Sequence, residues 1–170
     1  MSTMRALVLN SKTTPLALEN VPMPSAVAGS VVVKVLSTYI LSYISSVLNG
    51  TAPNVLTLPI TPGANTIGRI HAVGPDSTVL KAGQLVFCDY TVSARDDPNT
   101  AILMGMHGGA APNLMEGEWR NGSFAEYAKF PMENVFVLDE ELLCGKMGYG
   151  IEDLCALPGT SLYGKTMEFS

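Results

Sequence analysis

Residues 62–74 read PGANTIGRIHAVG, a turn that runs straight into a strand. Pro62 and Gly63 punctuate the chain, and Asn65 tolerates the left-handed conformations that tight turns use. Ile67, Ile70 and Val73 then supply the β-branched content of a half-buried strand. In that strand His71 falls on the face opposite Ile70 and reads as structural. Gly74 opens a second turn, VGPDST.

Working outward, residues 31–37 (VVVKVLS), 85–92 (LVFCDYTV) and 124–130 (FAEYAKF) alternate or bury continuously, as strands do. WRNGS is a further turn. Short helices are expected over residues 42–48 and 140–143. Neither an internal repeat nor a low-complexity tract interrupts this pattern. The chain therefore predicts a single domain over residues 1–170, mainly β with a few short helices.

Composition narrows the possibilities. With 170 residues, 47% hydrophobic and 15% charged, the chain can bury a core and does not read as disordered. The net charge is −5 and the ten Lys and Arg are scattered, which disfavours nucleic acid and anionic membranes as partners. No apolar run approaches the ~20 residues of a membrane span. The opening MSTMRALVL lacks a basic region followed by a long apolar core, so no secretory signal is expected. Cys88, Cys144 and Cys155 are odd in number, widely spaced and in apolar surroundings. A reducing cytoplasmic setting is the simplest expectation. Low charge also suggests apolar surface covered in a homodimer or by an apolar ligand.

Residues 62–74 resemble the P-G-H-E-x-x-G-x-V-x-x-V-G signature of medium-chain alcohol dehydrogenases and quinone oxidoreductases. Residues 4–10 (MRALVLN) resemble the family's opening strand, and residues 18–35 its second block. Residues 39–50 (YILSYISSVLNG) stand where the family has I-C-x-[ST]-D, and KAGQLVFCDY resembles the G-D-R-V block with Gln84 for Asp. NGSFAEYAKFPMENVFVLDEELLCGKMGYGIEDLCALPG resembles the segment leading from catalytic to cofactor domain. With RDDP at residues 95–98, the sequence resembles fungal zinc-free alcohol-dehydrogenase-like proteins. The resemblance implies a GroES-like partial β-barrel.

It also implies what has been exchanged. Leu41 stands for the first zinc-ligand Cys, Tyr43 for the hydroxyl relay, Ile44 for Asp, and Ala64 and Asn65 for the His–Glu pair. A methyl group offers zinc no lone pair and a neutral amide is a poor replacement for a carboxylate. The absence of any C-x-x-C removes the structural-zinc lobe. No bound metal is expected. Nor does any G-x-G-x-x-G occur in the sequence. GMHGGA at residues 105–110 and YGIEDL from Tyr149 do not follow a buried strand and open a helix as a dinucleotide site requires. The expectation is a chain without a Rossmann domain or bound cofactor, and not a self-sufficient dehydrogenase.

Residues 95–121 hold four glycines between 105 and 117 together with Met104, Met106 and Met115. Loops of this kind are commonly functional or mobile. The expectation is a flexible apolar flap, with a surface excursion as the alternative.

Four side chains are candidates for acid–base chemistry. Tyr43 reads as an acid or hydrogen-bond donor to a carbonyl, or as a core tyrosine with a wet hydroxyl. Asn65 reads as an orienter of a carbonyl or enolate, or as a turn residue. His107 suits proton transfer near neutral pH, or is an idle loop histidine. Asp89, at a strand end, reads as a general acid or base, or as a turn cap. Leu41, Ala64, Met104, Met106 and Trp119 are the candidate substrate-binding residues. Cys88 has no histidine neighbour in sequence to activate it.

Two functions compete, with a third reading beside them. One is a cofactor-independent enzyme that isomerises or cyclises a polyketide- or terpenoid-like carbonyl compound in fungal secondary metabolism. The other is a non-catalytic dehydrogenase remnant that binds a protein partner. A third is one half of a split NADPH-dependent reductase.

Overall fold

The computed structural model describes residues 2–161 except Pro98 and Ala110, with side chains described to residue 156. Its centre is a five-stranded antiparallel sheet in the order β8-β3-β4-β5-β9. The strands are β3 (Ser30–Thr38), β4 (Thr66–Val73), β5 (Leu85–Cys88), β8 (Tyr127–Pro131) and β9 (Val135–Val137). Val31, Val32 and Val33 are buried on both faces of β3, so the β-branched run belongs to an interior strand, between β8 and β4. In β4 Ile70 is buried and His71 exposed, with the imidazole edge-on to Tyr127 at 5.0 Å.

A hairpin of β1 (Thr3–Val8) and β2 (Ala17–Pro22) closes one side. Leu9 exchanges backbone hydrogen bonds with Ile60, at 2.8 and 3.1 Å, and Leu7 N donates to Phe124 O at 2.8 Å. These links curl the sheets into the partial barrel that the resemblance implies. A second hairpin joins β6 (Thr91–Ser93) to β7 (Ala101–Leu103).

Glycine is required where backbones meet without room for a side chain. A Cβ on Gly63 would lie 2.0 Å from Ser123 N, and one on Gly122 would lie 2.6 Å from Gly63 N. Gly105 joins them at a φ of +76°, its missing Cβ 2.9 Å from Gly122 Cα. Three segments thus interlock beneath the PGAN turn.

Three local expectations change. Residues 85–92 form two strands, β5 and β6, rather than one. Asp89 accepts a hydrogen bond from Thr91 N at 2.8 Å, and Asn134 Nδ2 donates to the carbonyls of Asp89 and Thr91 at 3.0 and 2.7 Å. That turn breaks the strand. The expected helix over 42–48 is α1 (Ile44–Leu48), and the one near 140 is a π-helical turn, Glu141–Lys146. A short α2 (Pro112–Glu116) and α3 (Ile151–Ser161) complete the elements, and α3 packs on β3 and β4. Among the described residues no helix is long and apolar enough to cross a membrane.

Met104, Met106 and Met115 are at most 1% exposed, inside the main core with Val33, Phe130 and Ile102. The part of residues 95–121 that holds them is core-filling, and Met104 and Met106 face packed side chains rather than a substrate cleft. Methionine suits this use because its unbranched chain fills irregular space.

Candidate functional site

The PGAN turn is the hub. Asn65 is 4% exposed, and its carbonyl accepts from Tyr39 N at 2.9 Å and from the Cys155 thiol at 3.7 Å. Its side-chain Oδ1 accepts from Tyr90 N at 3.4 Å. The end of β3, the start of β6 and helix α3 therefore converge on one residue. The amide holds backbone in place, and its burial keeps it from a ligand entering from solvent.

Ala64 is held by hydroxyls. Ser123 Oγ accepts from Ala64 N at 3.3 Å and donates to Ala64 O at 3.1 Å. Thr66 Oγ1 donates to Ala64 O at 2.9 Å, and Thr38 Oγ1 shares a 2.6 Å hydrogen bond with Ser123 Oγ. Among the described residues no buried side-chain nitrogen or oxygen lacks a partner. Sequence reading missed Ser123, Thr38 and Thr66. Their only signal was the placement of Ser123 after the Asn121–Gly122 turn.

Tyr43 stands just before α1, 43% exposed, and its carbonyl receives Ser46 Oγ at 2.7 Å. Leu41, half-buried two residues earlier, packs against the main core. The 39–43 segment is tied to the hub through Tyr39. Of the four acid–base candidates, Tyr43 alone is exposed rather than buried or half-buried.

The remaining candidates are otherwise engaged. The Asp89 carboxylate closes its own turn at Thr91. Nδ1 of His107 accepts from Val55 N at 3.0 Å, which fixes that nitrogen as an acceptor and pins residues 54–55 to the β6–β7 hairpin. Asn54 Nδ2 strengthens the same junction by donating to Met106 O at 3.0 Å. Trp119 is half-buried on the core. Ala64 and Asn65 are thus tied to the end of β3, Leu41 and Tyr43 lie on the segment that follows it, and His107 sits at a separate junction.

Zinc does not fit this hub. Leu41 and Ala64 offer no donor atom, and Asn65 Oδ1 already accepts from Tyr90 N. Among the described residues no group of three or more His, Cys, Asp or Glu could hold a metal. Burial raises the pKa of both Cys88 and Cys155, so their thiols stay protonated and are poor ligands. A nicotinamide dinucleotide does not fit the glycine clusters either. Gly105 is locked against Gly122, and Gly150 precedes α3 after a π-helical turn, not after a strand.

Residues 27–140 match the family described as the alcohol dehydrogenase GroES-like domain. The chain is 31% identical over 136 residues to L-threonine 3-dehydrogenase of Streptomyces coelicolor, covering 79% of this chain and 39% of that protein. It is 30% identical over 139 residues to an alcohol dehydrogenase of Moraxella sp. strain TAE123, covering 82% and 41%. The chain thus spans about two fifths of the length of these curated relatives. Among solved structures, one described as a short chain alcohol dehydrogenase of E. coli CFT073 with NADH superposes with a TM-score of 0.64. It is 25% identical and covers 82% of this chain and 40% of that one. A cobalt- and zinc-bound thermostable alcohol dehydrogenase from Pyrobaculum aerophilum shares the fold at a TM-score of 0.68. That similarity covers 92% of this chain and 44% of that one at 18% identity. With its barrel and interlocked PGAN turn, the chain belongs to the alcohol dehydrogenase GroES-like domain family.

Proposed function

We propose that this chain is the substrate-facing half of a metal-independent oxidoreductase, binding an apolar, carbonyl-containing small molecule beside Tyr43. The observation that carries the reading is Tyr43, 43% exposed on the segment that leads from the hub, where the positions matching the family's zinc ligands are apolar or already hydrogen-bonded. Its hydroxyl donates to the carbonyl oxygen and polarises it, as a Lewis acid would otherwise do. Leu41 supplies apolar contact, and the Asn65 and Ser123 hydrogen bonds hold the 39–43 segment in position. A nicotinamide, when bound to a nucleotide-binding partner, would supply the hydride; this chain's own residues bind and orient the carbonyl compound. That partner, or a second copy in a homodimer, would cover exposed apolar side chains such as Ile40, 67% exposed, and Met147, 56% exposed.

The cofactor-free isomerase or cyclase reading has less support. It needs Tyr43, Asn65, Asp89 and His107 to act together, and a backbone N–H already occupies one acceptor atom of each of the last three. A fungal secondary-metabolite role would suit either reading.

The test is titration of the protein with a panel of α,β-unsaturated ketones and aldehydes, followed by mass analysis with and without NADPH. Saturable binding without turnover is expected, weakened about tenfold by Tyr43→Phe, the loss of one good hydrogen bond. Rearranged product at unchanged redox level, or equal binding by Y43F, would overturn the reading.

A further inference from the structure

A cavity adjoins the Gly63–Gly122 contact. It has a volume of about 540 Å³ and sits between the β1–β2 hairpin, residues 59–61 and residues 117–129. Small-molecule sites fall in a range of roughly 300–1,000 Å³. Neither Leu41, Tyr43, Ala64 nor Asn65 lines it.

Its floor is apolar. Val8, Ile60 and Ala128 are each buried to 6% exposure or less, and Met4 and Val21 continue the surface. One end is charged, with Glu118, Arg120 and Lys129 as the charged side chains on the lining. Lys129 is 16% exposed and pairs with Glu118. That pair leaves Arg120 unmatched. Among the described residues its guanidinium makes one hydrogen bond, from Nη2 to the Glu116 carbonyl oxygen at 3.4 Å, and no ion pair. A planar cation at the mouth of an apolar cavity is matched to a carboxylate, which it engages through two parallel N–H donors.

We propose that this cavity binds a small amphipathic monocarboxylate, its apolar body along Met4, Val21 and Ile60 and its carboxylate against Arg120. One negative charge is the complement of two cations and one carboxylate. A dianion or a cation would meet Glu118 or Arg120 with the wrong sign. The cavity wall that carries Arg120 also carries Gly122, which packs on Gly63. Occupancy therefore stiffens the segment beneath the PGAN turn.

Decanoate and decanol, which share a chain and differ in charge, are the probes. Binding is followed by calorimetry and by the fluorescence of Trp119, the only tryptophan, which lies between Glu118 and Arg120. Decanoate should bind about tenfold more tightly than decanol, and Arg120→Gln should remove that preference. Val21→Trp, which fills the floor without touching Arg120, should weaken both. Equal affinity of the two probes for the unmodified protein, no saturable binding of decanoate, or an R120Q protein that keeps the preference would overturn the proposal. The comparison of decanoate with decanol needs no variant, so it stands even if a substitution unfolds the domain.

Discussion

Two regions, residues 62–66 with one glycine and residues 101–117 with four, differ in how glycine is used. In the first, Gly63 brings backbone against backbone, and buried polar groups of Asn65, Thr66 and Ser123 lock the contact. In the second, Gly105 reaches the same junction, while the methionines around it fill the core. The first region keeps the family's frame with exchanged side chains at the metal positions. The second turns a sequence that reads as a flap into packing material. A turn fixed chiefly by main-chain contacts can carry an apolar residue such as Ala64 without losing its shape.

The sharpest way to break this comparison is Gly63→Ala. Its new methyl meets Ser123 N at 2.0 Å, an atom of main chain that cannot swing aside. The expected result is a loss of about 4 kcal/mol in urea unfolding, at the severe end of single substitutions, or no folded protein. If G63A folds with unchanged stability, the interlock is not what holds the turn.

Met104→Ala tests the second region. A fully buried methionine truncated in a packed core should cost about 3 kcal/mol, whereas a methionine on a mobile flap would cost almost nothing. Circular dichroism against temperature separates the two results.

The smallest effect concerns the barrel's seam. Hydrogen bonds from Arg5 N and the Arg5 guanidinium hold the Glu126 carboxyl below its usual range. A carboxyl depressed in the folded state adds stability above its unfolded pKa and loses it as pH falls through the folded one. Stability should therefore decline on the acid side of the ordinary glutamate range, and Glu126→Gln should flatten that limb of the curve. An unchanged limb in E126Q would remove the seam from the acid response.

Much of the barrel was legible because its strands carry their own period. Val31 to Val35 and Ile67 to Val73 announce β3 and β4, and both form. The break at Asp89 was not legible, since it depends on Asn134, 45 residues distant in sequence. Helix α3 was equally hidden. It has no strong amphipathic stripe of its own, and Leu154 and Cys155 are buried in a cluster with Ile67 of β4 and Leu85 of β5, distant in sequence. At the site, the loss of ligand side chains at Leu41, Ala64 and Asn65 could be read directly from residue type. Whether Asn65 and His107 remain available could not, because each is claimed by a backbone N–H from another part of the chain.

The central claim is that carbonyl binding by this domain needs no metal. It is tested most directly by measuring the affinity of one enone ligand and the zinc content on the same sample, before and after dialysis against zinc and then against chelator. Substoichiometric zinc throughout and an unchanged dissociation constant are predicted. One zinc per chain, with ligand affinity that falls on chelation and returns with the metal, would contradict it.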